Sequence, residues 1–322
     1  MNVLVTGGAG FIGSHFLRHM VPKYPLYQFI NLDALTYAGD PRNLEDLERF
    51  SNYRFIYGDI CDHQLVNTVV SEGIHVIVNF AAESHVDRSI ANARTFLDTN
   101  IGGTFTLLEA ARQFGLEKFI QISTDEVYGS LGREGAFTED SPLRPNNPYA
   151  ASKTSADLLA LAYGKTYRIP VTITRSSNNF GPFQHPEKLI PKMILNALAD
   201  KPLPVYGDGQ YVRDWIYVTD HCLAIELVLH SGKAGHIYNI GANQEYKNID
   251  LVRNILNILQ KPLSLIQFVA DRPGHDRRYA INAAKIQREL GWQPVSNFQE
   301  SLAATIRWFQ QNSGRWEVTC ER

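Results

Sequence analysis

Short apolar runs alternate with longer amphipathic stretches through the first half of this chain, and that alternation limits its fold more than any other feature. The runs NVLVT at 2–6, YQFINL at 27–32, YRFIYG at 53–58, HVIVNFA at 75–81, KFIQIS at 118–123 and PVTITR at 170–175 read as strands. Runs apolar on both faces belong in a parallel sheet covered by helices on either side. The expected fold class is therefore α/β with a doubly wound parallel sheet. Between the fourth and fifth strands, Leu97, Ile101, Phe105 and Leu108 recur at helical spacing before Gly115 supplies a stop. This stripe is expected to serve the core or a subunit interface rather than a ligand.

After Arg175 the alternation breaks down, and Pro, Gly and Asn become frequent in NNFGPFQHPEK and KPLPVYGDGQ. The chain has 322 residues. That exceeds the roughly 100–200 residues of a common domain, so a second, smaller lobe is expected. A helix pattern around 219–231 and the run HIYNIG at 236–241 read as a return to the sheet. The expected division is residues 1–177 for the first domain, with 212–243 returning to it, and residues 178–211 with 244–322 for a smaller C-terminal α/β lobe.

Lysine and arginine number 31 against 33 aspartate and glutamate, a formal charge of -2. This balance offers no broad basic field, so neither nucleic acid nor a membrane is an expected partner. MNVLVTGG enters a glycine loop without a signal-peptide pattern, and no apolar run is long enough for a membrane span. A cytoplasmic enzyme is expected. Cys61, Cys222 and Cys320 lie far apart without a CxxC, so they are read as reduced and structural, and no metal centre is expected.

The loop TGGAGFIG follows the first strand, with Gly7, Gly10 and Gly13 in a GxxGxxG pattern and a helix start in SHFLRHM. Glycines there permit a tight turn and close approach of backbone to a pyrophosphate, while the helix N-terminus offers N–H donors. Strand, glycine loop and helix together point to a Rossmann-type dinucleotide site. Asp33 closes the second strand about 20 residues past the last glycine, where a carboxylate binds ribose hydroxyls and repels a 2′-phosphate, favouring NAD over NADP. Asp59 and Ile60, after the third strand, are placed near the adenine.

In NNPYAASK, Tyr149 and Lys153 lie four residues apart at the start of a helix pattern and share one face. A phenol with a pKa of about 10 is a poor base. A neighbouring ammonium and an oxidised nicotinamide are expected to favour its phenolate, fitting Tyr149 to take a hydroxyl proton as hydride leaves the same carbon. STDEVYG places Thr124, Asp125 and Glu126 where the fifth strand ends. Adjacent carboxylates can act as acid and base if their surroundings separate their proton affinities.

TGGAGFIG, Asp33 and YAASK resemble the extended short-chain dehydrogenases/reductases that act on nucleotide sugars. NFAAESHVDRSI, STDEVYG, SNNFGPFQHPEKLIPKMI, VRDWIYVTDH and DRPGHDRRYAIN are similar to the dTDP-glucose 4,6-dehydratase family, from the first strand to beyond residue 280. The resemblance implies an NAD-retaining lyase acting on dTDP-glucose, and a homodimer formed by the helices holding Leu97–Leu108 and Ser152–Leu161. It implies that Tyr149, Lys153 and Thr124 serve oxidation, that Glu126 is the base at C5 and that Asp125 is the acid at the C6 hydroxyl. It also implies cofactor contacts from Phe11, Ile12, Phe80, Ala81, Ala82, Thr99 and Asn178. For the sugar nucleotide it implies Ser84, Asn179, Lys188 and Leu189, with Pro204 and Tyr206 at the base. Arg213, Asn248, Arg272 and His275 would grip the diphosphate end, and Tyr279 is a further substrate contact. Ala150 and His185 depart from the family pattern without removing a group the chemistry requires. A dehydratase of another nucleotide hexose such as UDP-glucose, an epimerase or decarboxylase, and a non-catalytic NAD-binding regulator remain open alternatives at this point.

Overall fold

The computed structural model of the chain describes residues 1–316. Its strands are β1 (Asn2–Thr6), β2 (Gln28–Asp33), β3 (Tyr53–Tyr57), β4 (Val76–Asn79), β5 (Lys118–Thr124), β6 (Val171–Ser176), β7 (Asn178–Phe180), β8 (Leu203–Tyr206), β9 (Val212–Tyr217), β10 (Ile237–Ile240), β11 (Glu245–Lys247) and β12 (Ile266–Val269). Seven of them form one sheet in the order β10-β6-β5-β4-β1-β2-β3. Every neighbouring pair is parallel. The apolar runs predicted as strands thus do form the central sheet, with ends shifted by a residue or two. β3 is the exception to the two-sided burial, because it lies at the sheet edge and leaves Phe55 and Tyr57 exposed.

Helices cover both faces. Phe11–Lys23 and Val218–Ser231 pack Phe16, Leu17, Ile225 and Val228 on Val3 and Val5. On the other face, His63–Ser71, Thr104–Phe114 and Pro148–Tyr167 pack Val69, Leu107 and Ala160 on Leu4, Ile77 and Phe119. Gly115 ends its helix in the left-handed conformation at φ 69. The stripe before it is divided: Leu108 is core, whereas Leu97 and Phe105 are each 46% exposed. Leu97–Gly103 is wound as a π-helix. That wider turn shifts the phase of the side chains relative to α-helical spacing.

The second lobe joins β7, β9 and β11 in one small sheet and β8 with β12 in another. Phe180, Met193, Trp215, Ile255 and Phe309 fill its core. The return expected from residue 212 therefore begins later, with the helix Val218–Ser231 and β10. In β9, Trp215 faces the lobe core and Ile216 the central one, so this strand serves both. Cys222 is buried and Cys61 is exposed, both with free thiols, while Cys320 lies outside the described residues. No helix among the described residues is long and apolar enough to cross a membrane.

Glu226 fastens the two helices on one face together. It accepts from His19 Nε2 at 2.5 Å and Lys23 Nζ at 2.6 Å, and from the Tyr24 hydroxyl. Burial pushes its carboxyl up, but the bonds from Lys23, Tyr24 and His19 outweigh this and hold it at about 2. Its folded pKa lies below the unfolded one, so its contribution is present above the unfolded value near 4.5 and is lost as pH falls toward 2. Glu226→Gln is expected to lower stability by about 2 kcal/mol at neutral pH, read as a lower urea midpoint with unchanged slope. The difference from the parent should shrink as both are measured at lower pH.

Candidate active site

The strand order reverses between β1 and β4, and the glycine loop lies at the carboxyl end of β1, where such sheets open a ligand crevice. Gly7 has φ 70, and a Cβ on it would lie 2.6 Å from the Ala81 nitrogen in the loop after β4. Gly10 precedes the helix Phe11–Lys23, whose start has neither a side-chain cap nor an acidic first turn. The N–H groups of Phe11, Ile12 and Gly13, which have no intrahelical acceptor, thus border the cavity. A Cβ at Gly10 would meet only the Gly7 carbonyl, at 3.2 Å, so glycine here keeps space open. An uncapped row of donors beside an open cradle fits a pyrophosphate.

Asp33 borders the same cavity. It accepts from Ala9 N–H through Oδ2 and from Leu35 N–H through Oδ1, both at 2.8 Å. Each oxygen keeps a second lone pair for a ribose hydroxyl. Burial raises its pKa, against the pull of the Leu35 and Ala9 N–H groups. Asp59, Ile60, Phe80, Ala81, Ala82, Thr99 and Asn178 line the cavity too, so the predicted cofactor residues converge. Thr99 arrives there on the π-helical turn.

β5 ends at Thr124, and the chain enters a tight turn over Asp125–Tyr128 that Thr124 caps by accepting from Glu126 N–H at 3.2 Å. Asn147 caps the next helix, Pro148–Tyr167, by accepting from Ala150 N–H at 2.8 Å. This sets Tyr149 in its first turn and Lys153 one turn further. All five predicted catalytic residues line the cavity.

Asp125 is 1% exposed, and its Oδ2 has no hydrogen-bond partner. Burial, followed by the charges of Glu126 and Asp214, raises its pKa well above the ordinary carboxyl range. Each of these influences favours the protonated carboxyl, the form a general acid needs. Asn147 Nδ2 lies 3.5 Å from Glu126 Oε2. Burial and then the charge of Glu126 push the Tyr149 phenol up, and contact with the Thr124 hydroxyl only partly opposes them. The Lys153 ammonium does not pair with it but donates to the Ile122 carbonyl at 2.6 Å.

Ser84, Asn179 and Lys188 also line the cavity. Lys188 Nζ donates to the Ser84 carbonyl at 2.5 Å, and Asn179 Oδ1 lies 2.8 Å from His221 Nδ1. Leu189, Pro204, Tyr206, Arg213, Asn248, Arg272, His275 and Tyr279 stand apart from that lining. Several of them meet each other: Arg213 lies over the Tyr279 ring at 4.4 Å, and the Tyr206 and His275 rings pack edge to face at 6.0 Å. Asp87, which sequence reasoning missed, accepts from the Tyr206 hydroxyl at 3.1 Å and from Arg272 at 3.2 Å. Asn147 and Asp214 were also missed. The Asn-Pro pair opening a helix pattern was a readable signal for Asn147, while nothing local marked the other two.

A parallel sheet with a glycine loop at its switch point, and a tyrosine and lysine brought to the same crevice on one helix, define a short-chain dehydrogenase/reductase. Residues 4–305 match the family model for GDP-mannose 4,6 dehydratase, and the chain belongs to that family. It is 49% identical over 321 residues to a dTDP-glucose 4,6-dehydratase of Streptomyces niveus, covering 98% of this chain and 95% of the relative. The low-salt glycan biosynthesis protein Agl12 of Haloferax volcanii is 52% identical over 309 residues, covering 96% of this chain and 98% of that one. Among solved structures, the dTDP-glucose 4,6-dehydratase of Streptomyces venezuelae with NAD bound superposes with a TM-score of 0.96 at 50% identity, covering 99% of both chains.

A Cβ at Gly13 would lie 2.4 Å from the Gly7 carbonyl oxygen and 2.8 Å from the Gly8 Cα. Both obstacles are backbone, so the loop itself has to move. Gly13→Ala is expected to weaken NAD binding about 10-fold or more, measured by calorimetry on protein stripped of cofactor.

Proposed function

We propose that this protein converts dTDP-glucose to dTDP-4-keto-6-deoxyglucose and water, with NAD recycled within the site. The observation that carries this reading is the pair of carboxyls beside Tyr149, one of them buried with an unpartnered oxygen and disposed to hold a proton. Oxidation alone needs no such pair. The family and the relatives described above agree with the reading.

Tyr149 takes the C4 hydroxyl proton, with Thr124 beside it, as the C4 hydrogen departs as hydride. What NAD supplies when bound is a reversible store for that hydride and a positive charge next to the phenol. The C4 ketone makes the C5 proton acidic, and Glu126 removes it. Asp125 protonates the C6 hydroxyl, which leaves as water and gives a conjugated enone. Hydride return to C6 and a proton to C5 complete the product. Lys153 holds the ribose side of the cofactor, and Lys188, bonded to the Ser84 carbonyl, faces the sugar.

In the second lobe, Arg213, Asn248, Arg272, His275 and Tyr279 grip the nucleotide diphosphate, with Pro204 and Tyr206 at the base and Leu189 beside Lys188. Buried, unpartnered Asn248 Oδ1 and Arg272 Nε support this assignment, since such atoms ordinarily have partners. Residues 1–177 with the segment returning from Val218 hold the dinucleotide, and 178–217 with 244 onward hold the sugar nucleotide. The protein acts in the cytoplasm as a homodimer. Leu97 and Phe105, each 46% exposed, and Leu158, 54% exposed, are the apolar side chains that a second copy would cover.

Purified protein incubated with dTDP-glucose should show loss of one water by mass spectrometry over many turnovers. Loss from UDP-glucose at an equal rate would instead revise the base preference. Asp125→Asn is expected to slow water loss by about 100-fold while changing C4 oxidation far less. Equal slowing of the two steps in single-turnover absorbance traces would remove the acid role from Asp125. Leu158→Glu should sediment as a monomer where the parent sediments as a dimer.

A further inference from the structure

Asp157 lies one helical turn beyond Lys153 on the same face of the helix Pro148–Tyr167. Its side chain is fully buried, as is that of Arg175, whose Nε donates to Asp157 Oδ2 at 2.9 Å. The sheet register explains the meeting. β6 pairs with β5 so that Arg175 lies opposite Ser123. Ser123 follows Ile122, whose carbonyl receives the Lys153 ammonium. Behind Arg175, its Nη1 donates to the Tyr128 hydroxyl at 3.0 Å, and that hydroxyl donates to Asn239 Oδ1 at 2.7 Å. An array of polar groups therefore runs from the cavity wall to β10. A buried ion pair is often no more stabilising than well-packed apolar residues, so packing alone gives no reason for this one beneath a cavity lysine.

We propose that Asp157 is a positioning residue of this site: its carboxylate, braced on the far side by Arg175, keeps the Lys153 side chain charged and ready for the cofactor. The inference rests on the role given to Lys153 above. Burial pulls the Lys153 ammonium down to about 8, and Asp157 acts against that pull. The groups facing the Asp157 carboxylate are Arg175 from β6, Lys153 from its own helix and the Ser123 hydroxyl from β5. Burial raises Asp157 itself, and Arg175 followed by Lys153 draws it back. Neutralising this carboxylate removes the charge that supports the ammonium and strands Arg175 as a second cation nearby. Both changes drive Lys153 toward its neutral form.

The test follows NAD affinity and single-turnover C4 oxidation against pH in the full-length parent, Asp157→Asn and Lys153→Met. The parent should lose affinity and rate as Lys153 gives up its proton near pH 8. In Asp157→Asn that loss is expected about 1 pH unit lower or more, with affinity near pH 8 reduced roughly 10-fold and recovered in more acid solution. A lower affinity at every pH, with the position of the loss unmoved, is what a structural role alone would give and overturns the proposal. If Asp157→Asn does not fold, Asp157→Asn with Arg175→Met removes the stranded cation. The same displacement, though smaller, is then expected, and its absence overturns the proposal equally. Undiminished oxidation by Lys153→Met would remove the role of Lys153 and the proposal with it. An inactive Lys153→Met beside an unmoved profile for Asp157→Asn would remove only the role of Asp157.

Discussion

The reversal of strand order between β1 and β4 is the constraint from which the site follows. The helix after β1 packs on one face of the sheet and Thr104–Phe114, after β4, on the other. The chain therefore leaves the two strands in opposite directions and opens a crevice between them. Beneath that crevice the strand ends are held in line by buried side chains. The Thr6 hydroxyl donates to Asn79 Oδ1 at 2.6 Å, and Asn79 Nδ2 donates to Gln121 Oε1 at 2.9 Å. This ladder ties β1, β4 and β5 together where the glycine loop, the loop at Ala81 and the turn at Asp125 begin. With backbone facing backbone at Gly7 and Ala81, only glycine fits at Gly7.

Desolvation dominates the chemistry inside. It is the largest influence on Asp125, Tyr149, Lys153 and Asp214, and it drives every one of them toward the uncharged form. Asp214 is raised to about 7 and lends its charge to holding the proton on Asp125. A site built this way favours the protonated forms of Asp125 and Tyr149. That accounts for an unreceptive tyrosine in the protein alone. It also separates the spacing of Tyr149 and Lys153, which is a local property, from the proton affinity of Tyr149, which belongs to the whole cavity.

The sequence was legible wherever one segment carried its own reason. Runs buried on both faces marked the strands of the central sheet, and the glycine spacing marked the helix start. β9 was harder, because alternate residues serve two cores and the strand resembles one that belongs to either. The site divides in the same way. Asp33, Tyr149 and Lys153 could be read from their offsets within one βαβ unit or one helix. Asp87 could not, since its partners Tyr206 and Arg272 lie 119 and 185 residues away. Asp157 is four residues from Lys153, yet its significance depends on Arg175 arriving through the pairing of β5 with β6. Residues that act through packing from distant segments leave no local pattern to read.

The opposite duties of two neighbouring carboxyls come down to where β5 stops. Had the strand continued, Asp125 and Glu126 would have pointed to opposite faces of the sheet, and one of them would have been lost among the covering helices. Capping by Thr124 ends the strand first and coils the next residues into a tight turn at the mouth of the crevice. Both side chains then line one cavity but meet different surroundings. Asp125 is directed inward, where burial, then the charges of Glu126 and Asp214, raise its pKa. Glu126 faces Asn147, and its charge reaches Lys188, Arg213 and Tyr279 across the crevice. The two carboxyls are thereby made chemically different by backbone geometry, before any substrate enters.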